Sequence, residues 1–154
     1  MIRLAVFLAT VAYCGYFPVA PGTVGSAAGL IVYLLVWWAH SRVFEVALIA
    51  AVFVVGTWAA THAERYFGGI DPGPVVIDEV LGQLVTFAFI PVGWHAAIVG
   101  FVLFRIYDVM KPYPANRLEQ FHGGFGIMAD DAAAGVYANI TLRVLMWLLP
   151  AWIV

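Results

Sequence analysis

The chain has 154 residues, of which 64% are hydrophobic and 10% are charged, and its mean hydropathy is +0.97. Soluble domains contain about 25% charged residues, so this composition predicts an integral membrane protein with a single small domain over residues 1–154. The net charge of −2 argues against a nucleic-acid partner, and the lone Cys14 excludes an internal disulfide and a multi-cysteine metal site.

The N-terminal part predicts a short helix followed by a break. Residues 1–14 are apolar but too few to span a bilayer, which takes about 20 residues, so we expect a re-entrant or interfacial helix. Prolines and glycines interrupt residues 15–26, and a helix then continues to near Trp38. Thr23 and Ser26 lie where the N-terminus of that helix favours an anion, or where Ser26 acts as a plain N-cap.

Four further apolar runs predict helices, with breaks between them that are rich in proline, glycine or polar residues. These runs are residues 44–60, residues 75–91, residues 96–110, and a last run that starts between 126 and 130 and continues to the C-terminus. Together with the run that ends near Trp38, they predict an all-α, polytopic membrane bundle of about five long helices plus the short N-terminal helix.

Three groups of charged residues interrupt these apolar runs. They are Asp78 with Glu79, the evenly spaced Arg105, Asp108 and Lys111, and Asp130 with Asp131. A charge near the middle of a bilayer costs about 2.5 kcal/mol or more, so each group needs a partner, a cation or a water-filled cavity. Counting the membrane crossings brings all three groups to one face, and the Lys and Arg residues of that face indicate the cytoplasmic side.

The residue types in these groups favour phosphoryl chemistry. Several carboxylates without thiolates suit a hard divalent cation, most simply Mg²⁺. Arg105 and Lys111 suit phosphate oxygens, and His122 is a further candidate for binding phosphate. The alternative is a set of ion pairs that only fix helix packing, such as Asp108 with Arg105, but this leaves the other carboxylates unpaired.

Four segments, in this order along the chain, resemble the phosphatidylglycerophosphatase A family. They are PGTVGS (21–26), VIDEVLGQ (76–83), FRIYDVMKPYP (104–114) and GIMADDAAAG (126–135). Asp71 and Pro72 also resemble the family pattern. The resemblance implies a Mg²⁺-dependent phosphatase of the bacterial inner membrane that removes the terminal phosphate of phosphatidylglycerophosphate and yields phosphatidylglycerol, with its active site facing the cytoplasm.

The resemblance also suggests individual roles. Metal ligands would be Asp78, Glu79, Asp130 and Asp131; catalytic residues would be Asp78, Asp108 and Asp131; phosphate-binding residues would be Thr23, Ser26, Arg105 and Lys111, with His122 added from its position. Whether water attacks directly or a phospho-aspartate forms stays open, as does the oligomeric state.

Other classes of membrane protein fit the sequence less well. A small-ion or anion transporter would line a crossing with its carboxylates, whereas here they gather at one face and no internal repeat is visible. A purely structural membrane protein does not account for the surplus acids. An enzyme that transfers a phosphoalcohol from a nucleotide lipid would carry several aspartates along one helix, whereas here they lie on three.

Overall fold

The computed structural model describes residues 1–149, which contain α-helices and one short 3₁₀ turn, Cys14–Tyr16, but no strand. The helices are α1 (Ile2–Ala9), α2 (Pro21–Trp38), α3 (Arg42–Phe67), α4 (Ile77–Phe87), α5 (Trp94–Met110), α6 (Ala115–Leu118) and α7 (Gly124–Leu148). The all-α class is therefore confirmed. The predicted continuation of the last helix to the C-terminus falls on residues 150–154 and lies outside the described residues.

Helix α3 is longer than the predicted run of residues 44–60. Its N-terminus is capped by Ser41, whose hydroxyl accepts a hydrogen bond from the Phe44 N–H at 3.3 Å. It ends at Gly68, which has a φ of 76° and donates its N–H to the Glu64 carbonyl oxygen. With 26 residues, α3 extends about 39 Å.

Helix α4 corrects the prediction of five long helices. The apolar run of residues 75–91 predicted a long helix, but α4 has 11 residues and is about 17 Å long, little more than half of a bilayer core. The described residues therefore contain four long helices, α2, α3, α5 and α7. The chain leaves α4 at Ala88 and continues without helical structure to Gly93.

Side chains of α7 explain why α4 can end inside the bundle. The Asn139 amide donates to the carbonyl oxygens of Val85, Thr86 and Ala88 at 2.9–3.2 Å. Arg143 donates to the Ala88 carbonyl oxygen as well, at 2.9 Å. These bonds satisfy carbonyl groups that a helix C-terminus leaves without partners, which is costly away from water.

Helix α4 lies at the centre of the bundle and contacts α2, α3, α5 and α7. It packs against α7 almost backbone to backbone, because a Cβ added at Gly135 would lie 2.6 Å from the Gly82 carbonyl oxygen. A Cβ added at Gly82 would in turn lie 3.1 Å from the carbonyl oxygen of Asp131. This close approach places the first turn of α4, with Asp78 and Glu79, beside the second turn of α7, with Asp130 and Asp131.

Two helices are long and apolar enough to cross a membrane by length and composition, Pro21–Trp38 and Arg42–Phe67. Helix α1, which is too short to cross, packs against α3, and its last residue, Ala9, accepts a hydrogen bond from the Val76 N–H at 2.9 Å. The N-terminal segment therefore adjoins the turn that leads into α4, in agreement with the prediction of a short helix.

Candidate active site

A polar cavity of about 330 Å³ lies at the end of the bundle where α4 and α7 begin. Five carboxylates and two cations line it: Asp71, Asp78, Glu79, Asp108, Asp131, Arg105 and Lys111. The wall also includes the start of α2, with Ala20, Pro21 and Gly22. The three charged groups that are separate in the sequence thus each contribute to one cavity.

Asp78, Glu79 and Asp131 form a tight carboxylate trio. Each offers one oxygen such that the three atoms lie within 4.8 Å of one another. Asp78 and Asp131 are buried, with exposed fractions of 6% and 3%, and Glu79 is half-buried. Three negative charges this close repel one another strongly in a medium of low dielectric constant, so the arrangement favours the binding of a cation.

The hydrogen bonding of the trio points to the same need. Asp78 Oδ1, Glu79 Oε2 and Asp131 Oδ2 are buried and have no hydrogen-bond partner among residues 1–149. Buried polar atoms are normally paired, and leaving one unpaired costs about 1–3 kcal/mol. Oxygen atoms of this kind are what Mg²⁺ and similar hard cations bind, so the trio fits a divalent metal.

Arg105 is the cation nearest to the trio. Its Nη1 lies 3.6 Å from Glu79 Oε1 and bonds Asp108 Oδ2, one turn further along α5. The same nitrogen lies 3.5 Å from the hydroxyl of Ser26, which is buried in α2. Arg105 is therefore held at the cavity from two sides, with a guanidinium group that suits a phosphate.

Lys111 lies at the rim of the cavity. It ends α5 and has a left-handed backbone conformation, with a φ of 42°. Its Nζ bonds Asp130 Oδ2 and Glu119 Oε1, each at 2.8 Å. Burial alone would lower the pKa of this ammonium group, but the hydrogen bonds that it donates to Asp130 and Glu119 raise the pKa above its usual range. Lys111 is thus a fixed positive charge at any physiological pH.

Four of the predicted site residues do not line the cavity: Thr23, Asp130, His122 and Ser26, which contacts Arg105 from within α2. Asp130 is buried but bonds Lys111 and the Asp131 N–H, so it stands apart from the trio. Thr23 is exposed on the outer side of α2, and His122 is exposed between α6 and α7; neither lines the cavity. Spacing alone did not reveal these orientations, because adjacent helical residues point about 100° apart.

Two acidic residues with a part in the site were not among the predicted site residues. Asp71, from the turn between α3 and α4, lines the cavity, and Glu119 holds Lys111 from the segment after α6. Asp71 carried a sequence signal, since it lies in a Gly- and Pro-rich turn shortly before Asp78. Glu119 carried none, because its contact with Lys111 depends on how the polar connection folds back.

The chain is similar to known phosphatases over most of its length. The family profile described as Phosphatidylglycerophosphatase A matches residues 7–146. A relative from Bacteroides thetaiotaomicron, with the provisional name phosphatidylinositol-3-phosphatase, is 34% identical over 95% of this chain and 96% of its own length. Two proteins named Phosphatidylglycerophosphatase A also match. The Escherichia coli K12 protein is 33% identical over 79% of this chain and 72% of its own, and the Haemophilus influenzae protein is 35% identical over 84% and 82%.

No solved structure matches the chain. The profile covers nearly all of the described residues, including every residue of the cavity, and two of the relatives carry the name of that family. A carboxylate trio beside an arginine agrees with the chemistry of phosphate ester cleavage. The chain therefore belongs to the phosphatidylglycerophosphatase A family and is a phosphatase.

Proposed function

We propose that this protein hydrolyses the terminal phosphate monoester of phosphatidylglycerophosphate, in a Mg²⁺-dependent reaction that gives phosphatidylglycerol. The observation that carries the proposal is the carboxylate trio with its three unpartnered buried oxygens, 3.6 Å from the guanidinium group of Arg105 at the nearest approach. The names of the Escherichia coli and Haemophilus influenzae relatives support the choice of lipid.

Asp78, Glu79 and Asp131 would hold the metal, because their oxygens converge and lack other partners. Bound there, Mg²⁺ supplies charge neutralisation for the phosphoryl group and lowers the pKa of a bound water. Asp130 is the fourth carboxylate that the sequence suggested, and its bond to Lys111 makes it a support for that lysine rather than a ligand.

Arg105 and Lys111 would bind the phosphate from the other side of the cavity. Arg105 is oriented by Asp108 and by the Ser26 hydroxyl, and Lys111 by Asp130 and Glu119. Asp108 lines the cavity outside the trio, which makes it the proposed acceptor of the proton that the attacking water loses.

The substrate would reach this cavity from within a bilayer. We infer that the protein is a multi-pass protein of the bacterial inner membrane, with α2 and α3 as spanning helices. Large exposed apolar side chains such as Trp38, Val43 and Trp147, each about 80% exposed, suit contact with acyl chains. More Lys and Arg residues accompany the cavity than the opposite end, which supports a cytoplasmic orientation.

The direct test is release of phosphate from phosphatidylglycerophosphate by the purified protein in detergent or liposomes, with Mg²⁺ or with excess chelator. We expect hydrolysis only with the metal, and loss of hydrolysis in Asp78→Asn and Asp131→Asn. Wild-type turnover in both variants would contradict the metal assignment. A wild type that releases no phosphate from any lipid but moves ions across liposomes would support the transporter alternative instead.

Phosphatidylinositol 3-phosphate is a second candidate substrate, since the Bacteroides relative matches 95% of the chain. Both lipids present a phosphate monoester on a polyol headgroup, so the same carboxylates and cations would serve either. Parallel measurement of kcat/KM for the two lipids decides between them. We expect phosphatidylglycerophosphate to be the better substrate, and the reverse order would reassign the activity without changing the proposed site.

A further inference from the structure

Gln83 is the one polar side chain of α4 near the cavity that has no role so far. It is fully buried, and neither its amide nitrogen nor its amide oxygen has a hydrogen-bond partner among residues 1–149. A buried amide left unpaired destabilises the folded protein, and a leucine or methionine of similar size avoids that cost. A glutamine at this position therefore indicates a partner beyond the ordinary packing of the bundle.

The position of Gln83 points to Glu79 as that partner. The two residues are four apart on α4, so their side chains lie on the same face, one turn from each other. Both face α2. A Cβ added at Gly25 would lie 3.4 Å from Glu79 Oε2, and a Cβ added at Gly29 would lie 2.9 Å from the Cβ of Gln83. The unpartnered oxygen of Glu79 and the unpartnered amide thus share one narrow seam between α2 and α4.

Outside the carboxylate trio, the other buried and half-buried polar side chains that face α4 have partners, which sets Gln83 apart. The Thr86 hydroxyl, on the next turn of α4, donates to the Gly82 carbonyl oxygen at 2.7 Å. The Asn139 amide donates to three carbonyl oxygens at the end of the same helix. These groups stabilise the fold, whereas Gln83 has no bond through which it stabilises the metal-free protein.

We propose that Gln83 is a positioning residue for the carboxylate trio. When the metal is bound, its amide N–H would donate to Glu79 Oε2, directly or through one water, and would hold the carboxylate with Oε1 toward Arg105 and the cavity. An amide suits this task because it donates to the carboxylate without adding a charge to an already negative site. The inference rests on the proposed metal site, which Glu79 shares with Asp78 and Asp131.

The test compares Gln83→Met, which keeps the volume and removes the amide, with the wild type and with Thr86→Val. Melting temperature is measured in chelator and over a Mg²⁺ titration, binding of Mn²⁺ is measured by electron paramagnetic resonance, and lipid phosphate release gives kcat and KM. In Gln83→Met we expect an equal or higher melting temperature in chelator. We also expect about 10- to 100-fold weaker metal binding and a comparable loss of kcat.

Thr86→Val serves as the matched control, because it removes a buried polar group of the same helix that is already paired. Its melting temperature should fall while its affinity for Mg²⁺ and Mn²⁺ stays at the wild-type value. Wild-type metal affinity in Gln83→Met would overturn the inference. So would a fall of several degrees in its chelator melting temperature, since the amide would then be a structural group.

The proposed metal site and the proposed role of Gln83 would be contradicted by different results. A wild-type protein that neither binds Mn²⁺ nor is stabilised by Mg²⁺ contradicts the proposed metal site of Asp78, Glu79 and Asp131. A wild type that does both, beside a Gln83→Met variant that matches it, contradicts only the role of Gln83.

Discussion

At the end of the bundle far from the cavity, buried polar side chains are paired within the protein. Glu45 has an exposed fraction of 8% and accepts a hydrogen bond from the Phe89 N–H at 2.9 Å. The Tyr33 hydroxyl, also buried, donates to the Ile90 carbonyl oxygen at 2.7 Å. Arg143 belongs to the same end, where it bonds Asn139 and the turn after α4.

At the cavity end, equally buried side chains are left without such partners. Asp78 and Asp131 are as buried as Glu45, yet each keeps an oxygen that bonds nothing among the described residues, and so does Glu79. The two ends of the bundle therefore do not differ in how deeply their acidic side chains are buried. They differ in whether those side chains have hydrogen-bond partners. A buried acid that is fully paired holds the fold together, whereas a buried acid that is unpaired is a candidate to bind a ligand.

The largest expected effect tests the unpaired acids directly. Asp78→Asn and Asp131→Asn should each lower phosphatase activity about a thousand-fold, because several kcal/mol of charge stabilisation at the phosphoryl group is lost. Without metal, both variants should be at least as stable as the wild type, because a repelling charge is removed. Glu45→Gln is the matched control: it neutralises a buried acid at the far end and should keep normal activity.

Arg105→Lys should reduce kcat/KM about a hundred-fold, which is the usual effect of removing one positioned hydrogen-bond donor to a reacting group. Lysine keeps the charge but lacks the planar fork that bonds Asp108 while facing the cavity. Steady-state kinetics on the lipid substrate measure the change. A variant with unchanged kcat/KM would show that Arg105 only pairs with its neighbours, as the packing alternative requires.

At the far end, Asn139→Leu should affect stability and not chemistry. The substitution leaves carbonyl oxygens of Val85, Thr86 and Ala88 with fewer donors, so we expect a loss of about 1–3 kcal/mol in unfolding free energy. Activity per folded molecule should stay normal. Chemical denaturation and a phosphate-release assay on the same sample measure the two quantities, and a loss of activity without loss of stability would contradict the division between the ends.

The smallest effect is expected at His122. This residue was a sequence candidate for binding phosphate, but it is exposed and does not line the cavity. His122→Gln should therefore change kcat/KM less than about two-fold, in the range of ordinary surface substitutions. A loss comparable with that of Arg105→Lys would mean that the connection between α6 and α7 closes over the cavity when substrate binds.

Much of this arrangement could be predicted from sequence, because charged residues in apolar runs are informative. The apolar runs predicted the all-α class, and the charged residues within them predicted that Asp78, Arg105 and Asp131 share one polar site. The length of α4 could not be predicted, since it depends on Asn139 and Arg143, more than fifty residues away, which supply its terminal bonds.

The roles of individual residues within the site could not be predicted either, because they also depend on contacts between distant parts of the chain. Asp130 and Asp131 are adjacent and chemically identical, so the sequence suggested both as ligands. Their roles differ because Lys111, in the left-handed conformation that ends α5, brings its ammonium group to Asp130 alone. Likewise, Thr23 and Ser26 are three residues apart, but only Ser26 faces inward to reach Arg105.

The most direct test of the unpaired trio is a crystal structure with Mn²⁺ in place of Mg²⁺, in which anomalous scattering locates the ion. We predict a peak bound by oxygens of Asp78, Glu79 and Asp131, and no peak at Glu45. A protein that takes up no ion at the trio, or binds it only at the far end, would contradict the account.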